Sequence, residues 1–93
     1  MPDGGDPPTD AYGQTRRCLE IIGAALAEAG ARIEDVVRTR MFLVDSGDWE
    51  DVGRAHGELF ADVRPASSMV VVAALLDPRW FVEIEVDAIV DRP

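Results

Sequence analysis

The stretch from Val36 to Val72, "VVRTRMFLVDSGDWEDVGRAHGELFADVRPASSMVVV", decides the fold. From Val37 to Val44 the residues alternate. Val37, Thr39, Met41 and Leu43 lie on one side, and Arg38, Arg40, Phe42 and Val44 on the other. This period of two, with β-branched and aromatic residues, predicts a strand. From Asp48 to Phe60 the period changes. Trp49, Val52, His56, Leu59 and Phe60 share a helical face, and Ser46 or Asp48 can cap it. A second strand is predicted over residues 67–75, with Ser67 and Ser68 at its entry and an apolar run behind them. Strand, helix and strand at these lengths suit a right-handed βαβ crossover with the strands parallel.

Working outward, "AYGQTRRCLEIIGAALAEAG" precedes this unit. Thr15, Cys18, Leu19, Ile22, Ala25, Leu26 and Ala29 recur at three- and four-residue spacing, so a helix is predicted from about Asp10. Thr9 or Asp10 is its N-cap and Gly30 its C-terminal stop. Beyond the unit, the turn Leu76–Arg79 leads into "WFVEIEVDAIV". There Val82, Ile84 and Val86 face one way, and Glu83, Glu85 and Asp87 the other, as in a half-buried strand. This strand and the preceding one are expected to form an antiparallel hairpin. The fold class is therefore α+β: a two-layer sandwich, with a small mixed sheet covered on one face by two helices. The other sheet face is left bare, which predicts a homo-oligomer. Residues 1–9, with Gly4, Gly5, Pro7 and Pro8, are expected to be loop or disordered, and residues 10–93 a single domain.

The chain has 93 residues and a formal net charge of −9, from eighteen acidic and nine basic residues, the latter all Arg. Such a charge disfavours nucleic acid, whose phosphates it repels. The single cysteine, Cys18, excludes an internal disulfide and fits a reducing compartment. No apolar run is long enough to span a bilayer, and the acidic N-terminus is not a signal peptide. A cytoplasmic protein without membrane contact is expected.

No phosphate-cradling loop, metal-binding motif or nucleophile elbow is present. With one Cys and one His, a zinc site is not expected. His56 is either a general acid or base or, more plainly, a half-buried hydrogen-bonded packing residue. Cys18, in mid-helix on the apolar face, is read as a small buried hydrophobe. Gly53 and Gly57 lie one turn apart in the second helix, and close packing against a neighbour is the expected reason. Arg38 and Arg40 can pair with the Glu83–Glu85–Asp87 stripe across the sheet or present a fork to a carboxylate ligand. Ser67 and Ser68 point to opposite faces, and nothing local supplies either with a base.

"EAGARIEDVVRTRMFLVD", "PASSMVVVAALLDPRWFVEIEVDAIV" and the helix opening "DWEDVG" together resemble the RidA family, also called YjgF or L-PSP, from about Asp10 to Val90. The resemblance implies a chorismate-mutase-like fold and a homotrimer with clefts between subunits. It implies hydrolysis of reactive enamines and imines to keto acids and ammonia, with a small-molecule ligand and no cofactor or metal. The family glutamate that positions water falls at Glu83. The family arginine that grips the substrate carboxylate falls at Ser67, whose hydroxyl supplies neither the charge nor the fork. Three further cleft positions also differ from the family pattern: Met69 stands for a cysteine, Gly53 for an asparagine and His56 for a tyrosine. Family members begin with a β-hairpin ahead of the first helix, and that hairpin is expected to be absent here. The expected function is thus a divergent deaminase-type hydrolase. The alternative is a non-catalytic trimer that binds a metabolite or partner, and the ribonuclease label attached to the family is not expected to apply.

Overall fold

The computed structural model describes residues 6–91. Helix α1 spans Ala11–Glu28, strand β1 Val36–Leu43, helix α2 Trp49–Phe60, strand β2 Ala66–Val71 and strand β3 Val82–Ala88. The predicted element types all form, and among the described residues no strand precedes α1. The sheet is three-stranded and mixed, in the order β2-β1-β3, with β1 parallel to β2 and antiparallel to β3. It is an α+β fold with both helices on one face of the sheet, since the buried residues of β1 and β3 pack on α1 and α2.

The sheet order corrects one expectation. The strands β2 and β3 are not a hairpin; each pairs with β1 instead. A central strand must satisfy its backbone on both sides and bury most. Strand β1 fits this best: Val36, Thr39, Met41 and Leu43 are buried, whereas β3 buries only Val82 and β2 no residue. A second correction concerns Val37, which is 44% exposed while Val36 is buried. The register slips between Val36 and Arg38, and such a slip reverses the facing of the residues before it.

Local chemistry fixes the helix ends. Asp10 caps α1, its Oδ1 accepting from the Gly13 N–H at 2.6 Å. Gly30 ends the helix at φ +81°, where a side chain would be strained. Ahead of α2, Asp45 accepts from the Gly47 N–H at 2.8 Å, while Asp48 holds the N-cap position without a side-chain bond. The core joins both layers: Met41, Leu43, Val52 and Val82 meet Ala11 in one cluster, and Leu19, Val36 and Phe60 form a second.

Close packing within the chain does not account for the glycines of α2. A Cβ on Gly57 would meet nothing within 4 Å, and one on Gly53 would make ordinary contact with Met69 Cε at 3.9 Å. Gly57→Ala should therefore stabilise the chain by about 0.5–1 kcal/mol through helix propensity. Urea unfolding measures this directly; a loss of stability would mean that another molecule covers the position.

Candidate functional site

The parallel register sets Ser67 beside Thr39 and Met69 beside Met41. Partnered residues share a face, so Ser67 and Met69 point to the helix side with the core residues of β1. There α2 lies over them and brings His56 to the same place. Thr39 Oγ1 is 2.9 Å from His56 Nε2 and 2.8 Å from Ser67 Oγ. Ser67 Oγ is also 3.2 Å from the Pro65 carbonyl, which can accept its proton. The result is a continuous line of polar groups from a half-buried imidazole, through a fully buried hydroxyl, to an exposed one. Met69 lies two residues on, at the next position of the same face, against Gly53.

Burial holds the His56 imidazole below its ordinary pKa, because a low-dielectric surrounding disfavours the cation. Its ring also packs on Phe60, with centroids 4.7 Å apart. The entry to β2 is strained: Arg64 sits at φ +56°, a left-handed conformation that a side chain adopts at some energetic cost. This bend turns the chain from α2 into Pro65 and sets the facing of Ser67.

Glu83 is not in this group. It lies on β3, the opposite edge strand, opposite Phe42, and on the other face of the sheet from Ser67. Ordinary strand spacing separates the two Cα atoms by about 14 Å. Glu83 instead borders a groove of about 410 Å³ along the free edge of β3, lined by Cys18, Ile21 and Ile22 of α1 and by Leu75, Leu76, Trp80 and Ile84. In that groove the Cys18 thiol is pushed up to about 11, first by burial and then by the Glu83 charge. It is a poor nucleophile at neutral pH. On the open face, Arg40 reaches Glu85 and Asp87, each at 3.3 Å. Arg38 has no ion-pair partner among the described residues. Nor, among those residues, is any group of three His, Cys, Asp or Glu side chains placed to hold a metal ion.

Two polar residues of this architecture escape a periodicity reading. Thr39 joins Ser67 to His56, and Gln14, fully buried on α1, bonds to the start of β3. Each is a polar residue at a core-facing position, and that mismatch is the only sign of them in the sequence.

The fold and these positions define a small α+β protein of one family. The chain belongs to the endoribonuclease L-PSP family, whose model matches residues 2–90. It is 46% identical over 79 residues to an uncharacterised protein of Streptomyces coelicolor, covering 85% of this chain and 59% of that one. It is 34% identical over 94 residues to the 2-iminobutanoate/2-iminopropanoate deaminase of Escherichia coli, covering 98% and 71%. Its fold is similar to that of a Mycobacterium tuberculosis member of the YjgF/YER057c/UK114 family, with TM-score 0.88 and 47% identity over 89% of this chain and 70% of that one. The chain thus spans less than two thirds of the Streptomyces relative's length. No helix of the described residues is long and apolar enough to cross a membrane.

Proposed function

We propose that the chain is a divergent deaminase-type hydrolase of reactive imines or enamines, acting without a cofactor in a cleft between copies of itself in the cytoplasm. The likeness to the Escherichia coli deaminase along 98% of the chain carries this reading. Ser67, flanked by Met69, Gly53 and His56, contacts the substrate, and Glu83 holds the attacking water. Because Ser67 and Glu83 occupy opposite edges and faces of one sheet, a second copy must bring its Glu83 to the first copy's Ser67. A homotrimer meets that need, with residues 10–93 as its single domain. A net charge of −9 argues against RNA as the substrate.

The serine in place of a guanidinium favours a second reading, a trimer that binds a small metabolite or a partner without catalysis. The test is clearance of 2-iminopropanoate, generated in place by an amino acid oxidase, together with the mass of the assembly in solution. Slow clearance by a trimer is expected, falling about a hundredfold further in Glu83→Gln. Clearance as fast as that of an arginine-bearing relative would overturn the assignment of Ser67. A folded trimer that clears no imine would leave the binding protein.

A further inference from the structure

We infer that Ser67, Thr39 and His56 form a proton relay whose exposed end, the Ser67 hydroxyl, exchanges protons with the nitrogen of a bound, uncharged imine. This deepens the proposed hydrolysis and rests on it for the substrate. The relay itself stands on geometry alone. Three side chains from three elements meet in one unbroken line, with 2.9 Å between His56 Nε2 and Thr39 Oγ1 and 2.8 Å between Thr39 Oγ1 and Ser67 Oγ. The middle member is wholly shielded from water, so protons cannot leak from it to solvent. His56 is the only histidine of the chain and the one ionisable member, its charged form disfavoured by burial.

A hydroxyl donates one proton and accepts on its lone pairs, so the line can run in either sense. With His56 protonated, Nε2–H donates to Thr39, Thr39 donates to Ser67, and Ser67 donates outward. Its resting acceptor is then the Pro65 carbonyl at 3.2 Å. With His56 neutral and Nε2 bare, Ser67 donates inward and offers only lone pairs to the cleft. The proton on Nε2 thus sets whether Ser67 gives or takes one: the cation and the Nε2–H tautomer drive it outward, and the Nδ1–H tautomer drives it inward. Burial disfavours the cation, and the ring bonds to Thr39 and packs on Phe60.

The steps balance. Ser67 passes a proton to the imine nitrogen while water oxygen bonds to carbon and the C=N π pair moves to nitrogen. The water gives up a proton to solvent, and His56 takes one back. The carbinolamine then collapses: its hydroxyl loses a proton, the C–N bond breaks, and nitrogen receives a second proton through the same line. A carbonyl and ammonia leave. A neutral substrate fits this site, since the relay supplies a neutral hydroxyl and no fixed cation for a carboxylate.

Nitrogen-15 spectra of the imidazole test the relay without any substrate. Above its titration, wild-type His56 should be the Nδ1–H tautomer, with Nε2 accepting from Thr39, and Thr39→Val should return it to the Nε2–H form that free imidazoles prefer. A neutral wild-type ring carrying Nε2–H would overturn the relay. The catalytic arm uses benzaldimine, made from benzylamine by an amine oxidase. Thr39→Val should lower kcat about a hundredfold with KM little changed, Thr39→Ser should restore it, and His56→Gln should flatten the pH profile. Equal kcat in folded Thr39→Val and wild type would overturn the relay's part in catalysis. If wild type clears neither benzaldimine nor 2-iminopropanoate, the hydrolase reading fails, and the relay is decided by the tautomer.

Discussion

Replacing Gln14 with Leu is expected to destabilise the chain by about 3 kcal/mol, a large share of the roughly 5–15 kcal/mol that a small domain has in total. Gln14 is completely buried. Its amide Nε2 donates to the Pro8 and Arg79 carbonyls, both at 2.9 Å, and its Oε1 accepts from the Phe81 N–H at 2.6 Å. One side chain on α1 thereby fastens the segment before that helix and the start of β3. Leu fills a similar volume but leaves an N–H and two carbonyls without partners. Leaving a buried polar group unsatisfied costs about 1–3 kcal/mol, and water reaching the loop offsets part of the sum. Urea unfolding gives the number, and the near-ultraviolet signal of Trp80 reports whether the loop before β3 has come free. A loss below about 1 kcal/mol would mean that the backbone groups find other partners, so Gln14 would not be the fastening.

The helices and strands were legible because each is decided by a few adjacent residues. Asp10, Gly30 and the change of period after Val44 mark boundaries whatever the rest of the chain does. Strand order was not decided locally. A strand expected to run to residue 75 left only a short turn before β3 and suited a hairpin, but β2 ends at Val71, and the open face held the contrary sign. Arg38 and Arg40 face Asp87 and Glu85 across neighbouring strands, and Arg40 bonds to both acids. Opposite charges at matching parity were a statement that β1 and β3 are adjacent, which a β2–β3 hairpin did not explain. The site was less visible for a related reason. Ser67, Met69, Gly53 and His56 do gather on one side of the sheet, but Thr39, which links two of them, looks in the sequence like any β-branched strand residue. Its role depends on the β1–β2 register and on α2 crossing above it. Glu83 lies apart from the others because strand parity and sheet order both separate it, and one chain's periodicity says nothing of a neighbouring copy.

Ser67→Arg is expected to raise the rate on 2-iminopropanoate by about 10- to 100-fold while lowering the rate on an uncharged imine. A guanidinium at this position supplies a charged, two-pronged donor to a carboxylate, and a charge-assisted bond contributes about 1.5–3 kcal/mol. Because Ser67 is exposed, the longer side chain can reach outward without entering the core. The substitution also removes the hydroxyl that bonds to Thr39, so Thr39 and His56 keep only each other. Opposite changes on the two substrates are therefore the expected signature, and a ratio of kcat/KM values measures it without reference to enzyme concentration. The two readings of the protein separate here. A gain on the carboxylate substrate means that Glu83 and the rest of the cleft are already arranged for hydrolysis and that Ser67 alone turns the carboxylate away. No gain, in a variant whose melting and mass match wild type, means that the remaining groups do not hold a water against an imine carbon. The serine is then one of several losses, and the family's fold is used in this chain for binding.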